Sequence, residues 1–414
     1  MEDKKNGLSK GLSSSLGNLK NYTMVFVLVG VMILFQILIV ATGRGSLFAP
    51  ANITNIIKQN AYVAILAAGM LCCILTGGNI DLSVGSIVAL VGAMAGVFVV
   101  NLGLNIYLSI ILCLIIGIMI GAAHGFFIAY LHIPPFITTL AGMLLWRGIA
   151  TIILDGRPIS PFPENYRRLF ESFIPGQLTG KMGTFQMWGG EVDTYAFLLT
   201  MIICLVLVAL YIIAEVVGRI KKIKKGYTVQ PRLAFILKVV VLSVVILIVG
   251  QFLACSRGIP VILILLAIII AAYAYFTQNT VPGRYLYAIG GNEKAAKLSG
   301  VNTNKVMFFA YTNMGFIAAV AALVCVARFD SAQPTAGQNY EMDAIASCFI
   351  GGASAYGGTG TIAGAVIGAV FMGVLNNGMS ILGVDMNWQR AVKGLVLLLA
   401  VIFDVVSKKK KSSK

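Results

Sequence analysis

Charged side chains inside apolar runs are costly in lipid, so they are the first candidates for chemistry. Six lie within or beside such runs: Arg147, Glu215, Asp343, Arg390, Lys393 and Asp404. Glu215, Lys393 and Asp404 stand close to run ends, where side chains reach headgroups. Asp343 and Arg390 are expected at the outer rim. Arg147 is the charge nearest mid-span, and the bland expectation for it is a bond to backbone carbonyls of a broken neighbouring segment. His124, between Ala123 and Gly125, reads as a packed polar residue ahead of a proton relay. The spans lack a buried run of Asp, Glu and His of the kind that proton or sodium coupling uses.

Phosphate chemistry is equally sparse. A P-loop requires Gly-Lys followed by Ser or Thr. The one Gly-Lys pair is Gly180-Lys181, followed by Met182. ATP hydrolysis, if it powers this chain, belongs to another chain. The seven cysteines show no zinc-ligand spacing and read as small buried hydrophobes. No catalytic residue and no metal site is assigned, and the chain is read as no enzyme.

Two glycine breaks carry more information. A short apolar run, 61–76, enters Gly77-Gly78-Asn-Ile-Asp81-Leu-Ser83-Val-Gly85-Ser86-Ile87. A second, 343–352, enters Gly351-Gly352-Ala-Ser-Ala-Tyr-Gly357-Gly358-Thr-Gly360-Thr361-Ile362. The two form a weak internal repeat, in which Gly-Ser/Thr-Ile opens a small-residue helix. Glycine permits sharp turns, and the freed carbonyls need partners other than lipid. Ser83, Ser86 or Thr361 can cap the following helix. Two readings stand: tight turns between hydrophobic helices, or a shaped surface where another subunit docks.

A third segment, 290–300, reads as a short helix outside the membrane. Asn292 suits its N-cap, Glu293 its first turn, Lys297 its last turn and Gly300 its C′ position. Ala295 and Ala296 give it a smooth face. It is either an ordinary surface helix or one that slots into a groove on a soluble partner.

The elements that position these residues follow from composition. Of 414 residues, 58% are hydrophobic and 11% charged, with mean hydropathy +0.91. Soluble domains carry about 25% charged residues. The chain is therefore an all-α polytopic membrane protein. About twelve segments are expected, at 22–41, 61–76, 84–102, 106–131, 135–154, 195–217, 234–254, 259–277, 306–327, 343–352, 361–379 and 391–406. The first is too long for a signal-peptide core and is read as an anchor. Gly92/Gly96, Gly117/Gly121/Gly125 and Gly364/Gly368 have the four-residue spacing of close helix packing.

The net charge of +16 comes largely from short basic runs between the spans, namely Lys4–Lys20, Arg219–Lys238, Arg284–Lys305 and Lys408–Lys414. Counting crossings puts all four on one side. That is the positive-inside pattern, so nucleic acid is not the partner. The organisation expected is a basic cytoplasmic N-terminus (1–21), one transmembrane domain (22–406) and a basic cytoplasmic tail (407–414). Within the domain, 155–194 is extracytoplasmic, 218–233 is a basic cytoplasmic loop and 278–305 is a cytoplasmic coupling loop. Both glycine breaks then face the cytoplasm, and the repeat is parallel.

Several separate stretches resemble one family: Gly77–Gly85, Ile133-Pro134-Pro135-Phe136-Ile-Thr-Thr-Leu140, Arg147-Gly148, Glu293–Gly300 and Gly351–Thr361. In that order they look like the permease subunits of monosaccharide ABC importers, the ribose/xylose/galactose group. The resemblance runs from about residue 55 to 406. Ala327–Gly337, Gly373–Met379 and the inserted pair near 195–254, added to ten family-type segments, are most similar to xylose-type or multiple-monosaccharide permeases.

The resemblance implies a multi-pass cell-membrane protein that imports a monosaccharide, xylose or a related pentose or hexose. An ion-coupled secondary sugar transporter is the alternative. It implies a permease homodimer in lipid, a partner ATPase that binds ATP and Mg, and an extracytoplasmic sugar-binding protein. No cofactor is expected in this chain. ATPase coupling falls to Glu293, Ala295, Ala296 and Gly300, where Lys294 interrupts the family's Glu-Ala-Ala order, and to Gly351, Gly352, Gly358, Gly360 and Thr361. Gly77, Gly78, Asp81 and Gly85 are the expected hinge, and Asn60, Asn376, Asn377 and Trp388 the expected sugar path.

Overall fold

In a computed structural model, the structure describes residues 23–174, 183–187, 190–227, 229 and 231–412. The basic N-terminus expected over 1–21 lies outside the described residues. The chain is helical almost throughout. Among the described residues the strands form two short antiparallel ribbons, β1 (Phe173–Ile174) with β4 (Ile259–Pro260), and β2 (Thr184–Met187) with β3 (Gly190–Asp193).

Among the described residues ten helices are long and apolar enough to cross a membrane. They are α1 (Thr23–Ala41), α2 (Pro50–Leu75), α3 (Val84–Gly96, prolonged by a π-turn over Val97–Asn101), α4 (Ile106–Ala129) and α5 (Pro135–Leu154). After a short α6 (Glu164–Glu171) come α7 (Thr194–Lys224), α8 (Arg232–Ala254) and α9 (Val261–Asn279). Two short helices, α10 (Val281–Gly291) and α11 (Glu293–Leu298), precede α12 (Thr303–Phe329). The last three are α13 (Tyr340–Ile350), α14 (Ile362–Ile381) and α15 (Met386–Ser412). The ten do not include the short helices α6, α10, α11 and α13.

One expected span falls short. The segment 343–352 belongs to α13, whose 11 residues reach only about 16 Å at 1.5 Å each, half of a roughly 30 Å hydrocarbon core. The segment 391–406 lies in α15, whose 27 residues are long enough. Conversely, the run 61–76 is not a short segment. It is the apolar end of the 26-residue α2, whose first turns are polar (Asn52, Thr54, Lys58, Gln59) and escaped a hydropathy reading.

Contacts divide the chain into two compact units. The smaller comprises 45–58 and 171–264. Its core is the inserted antiparallel pair α7 and α8, where Gly250 lies against the Cys204 side chain. Asp193 caps α7 by accepting from Tyr195 N and Ala196 N. Lys238 Nζ lies 2.6 Å from Glu215 Oε1 near the basic turn.

The larger unit comprises 1–44, 59–170 and 265–414. The buried α12 is its centre, packed on α3 and α4. As the spacing of small residues predicts, Gly117 and Gly121 of α4 meet the backbone of α12 at Gly315, an approach no Cβ would allow. Gly368 of α14 likewise rests on the Ser347 carbonyl of α13. Without a hydrophobic drive in lipid, such dispersion contact is what holds these helices together. All seven cysteines are free and buried.

Candidate functional site

One end of the larger unit gathers three of the segments singled out in the sequence. Asn292 caps α11 by accepting from Ala295 N at 3.0 Å, and Gly300 follows its C-terminus with φ +85°. Ala296 anchors the helix on Ile289 and Val301. The opposite face is exposed: Glu293, Lys294, Ala295 and Lys297, with Leu298 90% exposed. Beside Glu293, the turn His132–Pro135, Asn79 and Asn304 form a groove of about 240 Å³.

The turn 351–361 seals the same end. Gly358 N donates to Leu75 O at 3.1 Å, and the backbone of Gly357 rests on that of Gly77. Gly78 abuts the Ala355 carbonyl, so both glycine breaks lie at one end of the unit, as expected. Tyr287 Oη donates to Gly360 O at 2.9 Å, and burial raises that phenol above its ordinary range, keeping the proton that the bond needs. Gly351 packs on Gly364, and Gly352 takes φ +87° in open space. Thr361 caps α14 by accepting from Gly364 N at 3.0 Å. Asp404 Oδ2 accepts from Ala355 N at 3.2 Å. The turn's most exposed large side chain is Tyr356 (64%).

The two breaks are not equivalent beyond that end. After the second, the full-length α14 begins directly at Thr361. After the first, residues 79–81 have no regular structure and 82–83 form a turn before α3 begins, and Ser83 occupies the N-cap position without a capping bond. The counterpart of this stretch is 331–339. Ala332 pairs with Ile159, beyond the far end of α5, and the chain then runs to Gly337, whose backbone packs on that of Gly85. Helices α3 and α13 thus start from opposite directions and meet near the middle. Gly85 and Gly360 correspond in the repeat read from the sequence, while the glycine that Gly85 packs against is Gly337.

Buried polar side chains cluster around this meeting point. Ser83 Oγ donates to Asp81 Oδ1 at 2.6 Å, and Ser83 N donates to the same oxygen at 2.8 Å. His124 Nδ1 lies 3.3 Å from Ser83 Oγ, and Trp146 Nε1 donates to His124 Nε2 at 3.0 Å. An indole only donates, so Nε2 accepts and the ring proton is assigned to Nδ1. Arg147 Nη1 donates to Pro334 O at 3.3 Å and to Ala336 O, which is the role expected for it. Asp343 is not at the rim. It is 1% exposed, accepts from Tyr62 Oη at 3.1 Å and pairs with Lys393 Nζ at 3.0 Å. Two of these partners, Tyr62 and Trp146, carry no sequence signal beyond their type.

The expected sugar-path residues spread over three helices. Asn60 of α2 is buried against Gly373 of α14. Asn377 is buried one turn further along α14, and Asn376 Oδ1 there has no bonding partner. Trp388 is 69% exposed on the first turn of α15.

Comparison with known proteins fits this architecture. The family described as branched-chain amino acid transport system / permease component matches residues 52–401. The xylose transport system permease protein of Escherichia coli (strain K12) is 34% identical over 402 residues, 96% of each chain. Its Haemophilus influenzae counterpart is 35% identical over 398 residues, 95% of this chain and 98% of that one. The ribose import permease protein of Escherichia coli (strain K12) is 35% identical over 375 residues, 90% of this chain and 92% of that one. No solved structure matches.

Proposed function

The chain belongs to the branched-chain amino acid transport system / permease component family, and from that premise we propose that it is the pore-forming subunit of an ATP-driven importer for a monosaccharide. The substrate we propose is xylose or a closely related sugar, because permeases named for xylose and ribose match along nearly the whole chain. ATP and Mg are bound by a partner ATPase, the pore lies between two copies of this chain, and an extracytoplasmic protein delivers the sugar.

The observation that carries the coupling is α11. A capped helix with one face anchored and the other bearing a 90% exposed leucine beside Glu293 is built to be held by another surface. We assign the ATPase contact to this exposed face and the neighbouring groove, with Ala295 and Leu298 entering the partner. The turn Gly351–Thr361 passes the motion inward, since it is bonded to Leu75 and Tyr287 and packed on Gly77. The unit then rocks about the crossing of Gly85 and Gly337. This end and both termini are assigned to the cytoplasm, a reading that the basic clusters support.

Reconstitution in vesicles tests the proposal. With ATPase and binding protein present, ATP should drive uptake of radiolabelled D-xylose or D-ribose. Uptake by this chain alone under a proton or sodium gradient would overturn it in favour of ion coupling.

A further inference from the structure

The crossing of α3 with the short α13 borders a cavity of about 320 Å³. Its polar lining is Ser86, Arg147, Gln338, Asn339, Glu341 and Arg390. Helix α13 ends at the sealed face and is only half a membrane long, so Glu341 in its first turn lies near mid-depth. Ionisable groups at that depth do not face lipid; they line water or pair with one another.

One atom points to a ligand. Ser86 is 1% exposed, and its hydroxyl has no hydrogen-bond partner. A buried hydroxyl left unmatched carries an uncompensated desolvation cost, and this one borders a cavity where a partner can enter. The rest of the lining supplies what a polyol needs. Glu341 accepts, the guanidiniums of Arg147 and Arg390 donate, and the Gln338 and Asn339 amides do both. Met143 and Leu144 add an apolar wall on which the C–H face of a ring can rest. At about 320 Å³ the space is at the small end of ligand pockets.

We infer that this cavity is a transit subsite for a neutral monosaccharide, with Ser86 and Glu341 bonding its hydroxyls. The inference rests on the import function proposed above and deepens it by placing the sugar path here, at α3, α5, α13 and α15. The path expected at Asn60, Asn376, Asn377 and Trp388 is thereby relocated. The mixed lining holds a neutral sugar weakly through several bonds, which is what passage through a pore requires.

Substituted-cysteine labelling of the full-length permease, assembled with its ATPase and binding protein in vesicles, tests it. All seven native cysteines are buried, so the unmodified protein gives the blank. Ser86→Cys should react with a small cationic thiol reagent from water. D-xylose, D-ribose or D-galactose should slow the reaction by 1 + [sugar]/Kd, about fivefold at four times Kd. Asn339→Cys, outside the helices, repeats the measurement should Ser86→Cys fail to assemble. Lack of labelling at both positions, or labelling that no sugar slows, would overturn the subsite. Protection by glucose 6-phosphate alone would also overturn it, in favour of an anion site. ATP-driven uptake by the unmodified complex is scored separately: its presence with unprotected labelling refutes the subsite alone, and its absence refutes the importer reading itself.

Discussion

Gly85 and Gly337, 252 positions apart in the chain, touch backbone to backbone. A Cβ on either would fall on the other's carbonyl, and Gly337 also takes φ +72°. Their contact fixes where α3 and the short α13 begin.

Gly337→Ala therefore adds both a backbone clash and left-handed strain. Overpacking of this kind destabilises by about 1–3 kcal/mol. A lower thermal midpoint in detergent, together with loss of uptake, is the expected outcome. Native midpoint and native uptake would show that the approach is not required.

The pair Lys393–Asp343 is a second constraint. Lys393→Met leaves a carboxylate uncompensated in the bundle, which costs about 3–5 kcal/mol. The double variant Lys393→Met with Asp343→Asn should recover much of that loss. Thermal unfolding of wild type, both single variants and the double in the same detergent gives the coupling energy directly.

Trp146→Phe removes the donor to His124 Nε2 while keeping most of the ring. The orphaned acceptor should lower stability by about 1–3 kcal/mol. Unfolding midpoints check this, and Trp146→Tyr, which restores a donor at a different position, should not fully rescue.

Glu293→Arg separates docking from folding. Glu293 is exposed and α11 retains its Asn292 cap. Membrane insertion and thermal midpoint should match wild type, while uptake and stimulated ATPase activity fall at least about tenfold, equivalent to about 1.4 kcal/mol of lost coupling. Gly351→Val is a poorer probe, because a Cβ there falls on the Gly364 carbonyl and disturbs packing first.

Much of this was legible before the structure. Local rules place α11, because Asn292 and Gly300 are cap residues at fixed offsets. Hydropathy finds the ten long spans, and four-residue glycine spacing finds the Gly117–Gly315 crossing from one side. Arg147 was recognisable as a charge in need of carbonyls. What escaped is non-local. Nothing near Gly85 says that Gly337 will lie against it; the internal repeat matches Gly85 with Gly360 instead. Asp343 follows Glu341 and precedes an apolar run, a pattern that reads as a membrane rim when the segment is taken as a full crossing. The irregular stretches 79–83 and 331–339 put both carboxylates deep instead. Ser86 looked like a capping residue, and only its unmatched hydroxyl beside a cavity gives it another role.

The most direct measurement is sugar accumulation in sealed vesicles bearing the permease with and without its ATPase. ATP should drive labelled D-xylose or D-ribose inward against its gradient only when both are present, and an ATPase variant unable to hydrolyse ATP should abolish it. Accumulation by the permease alone, powered by an ion gradient, would contradict the account.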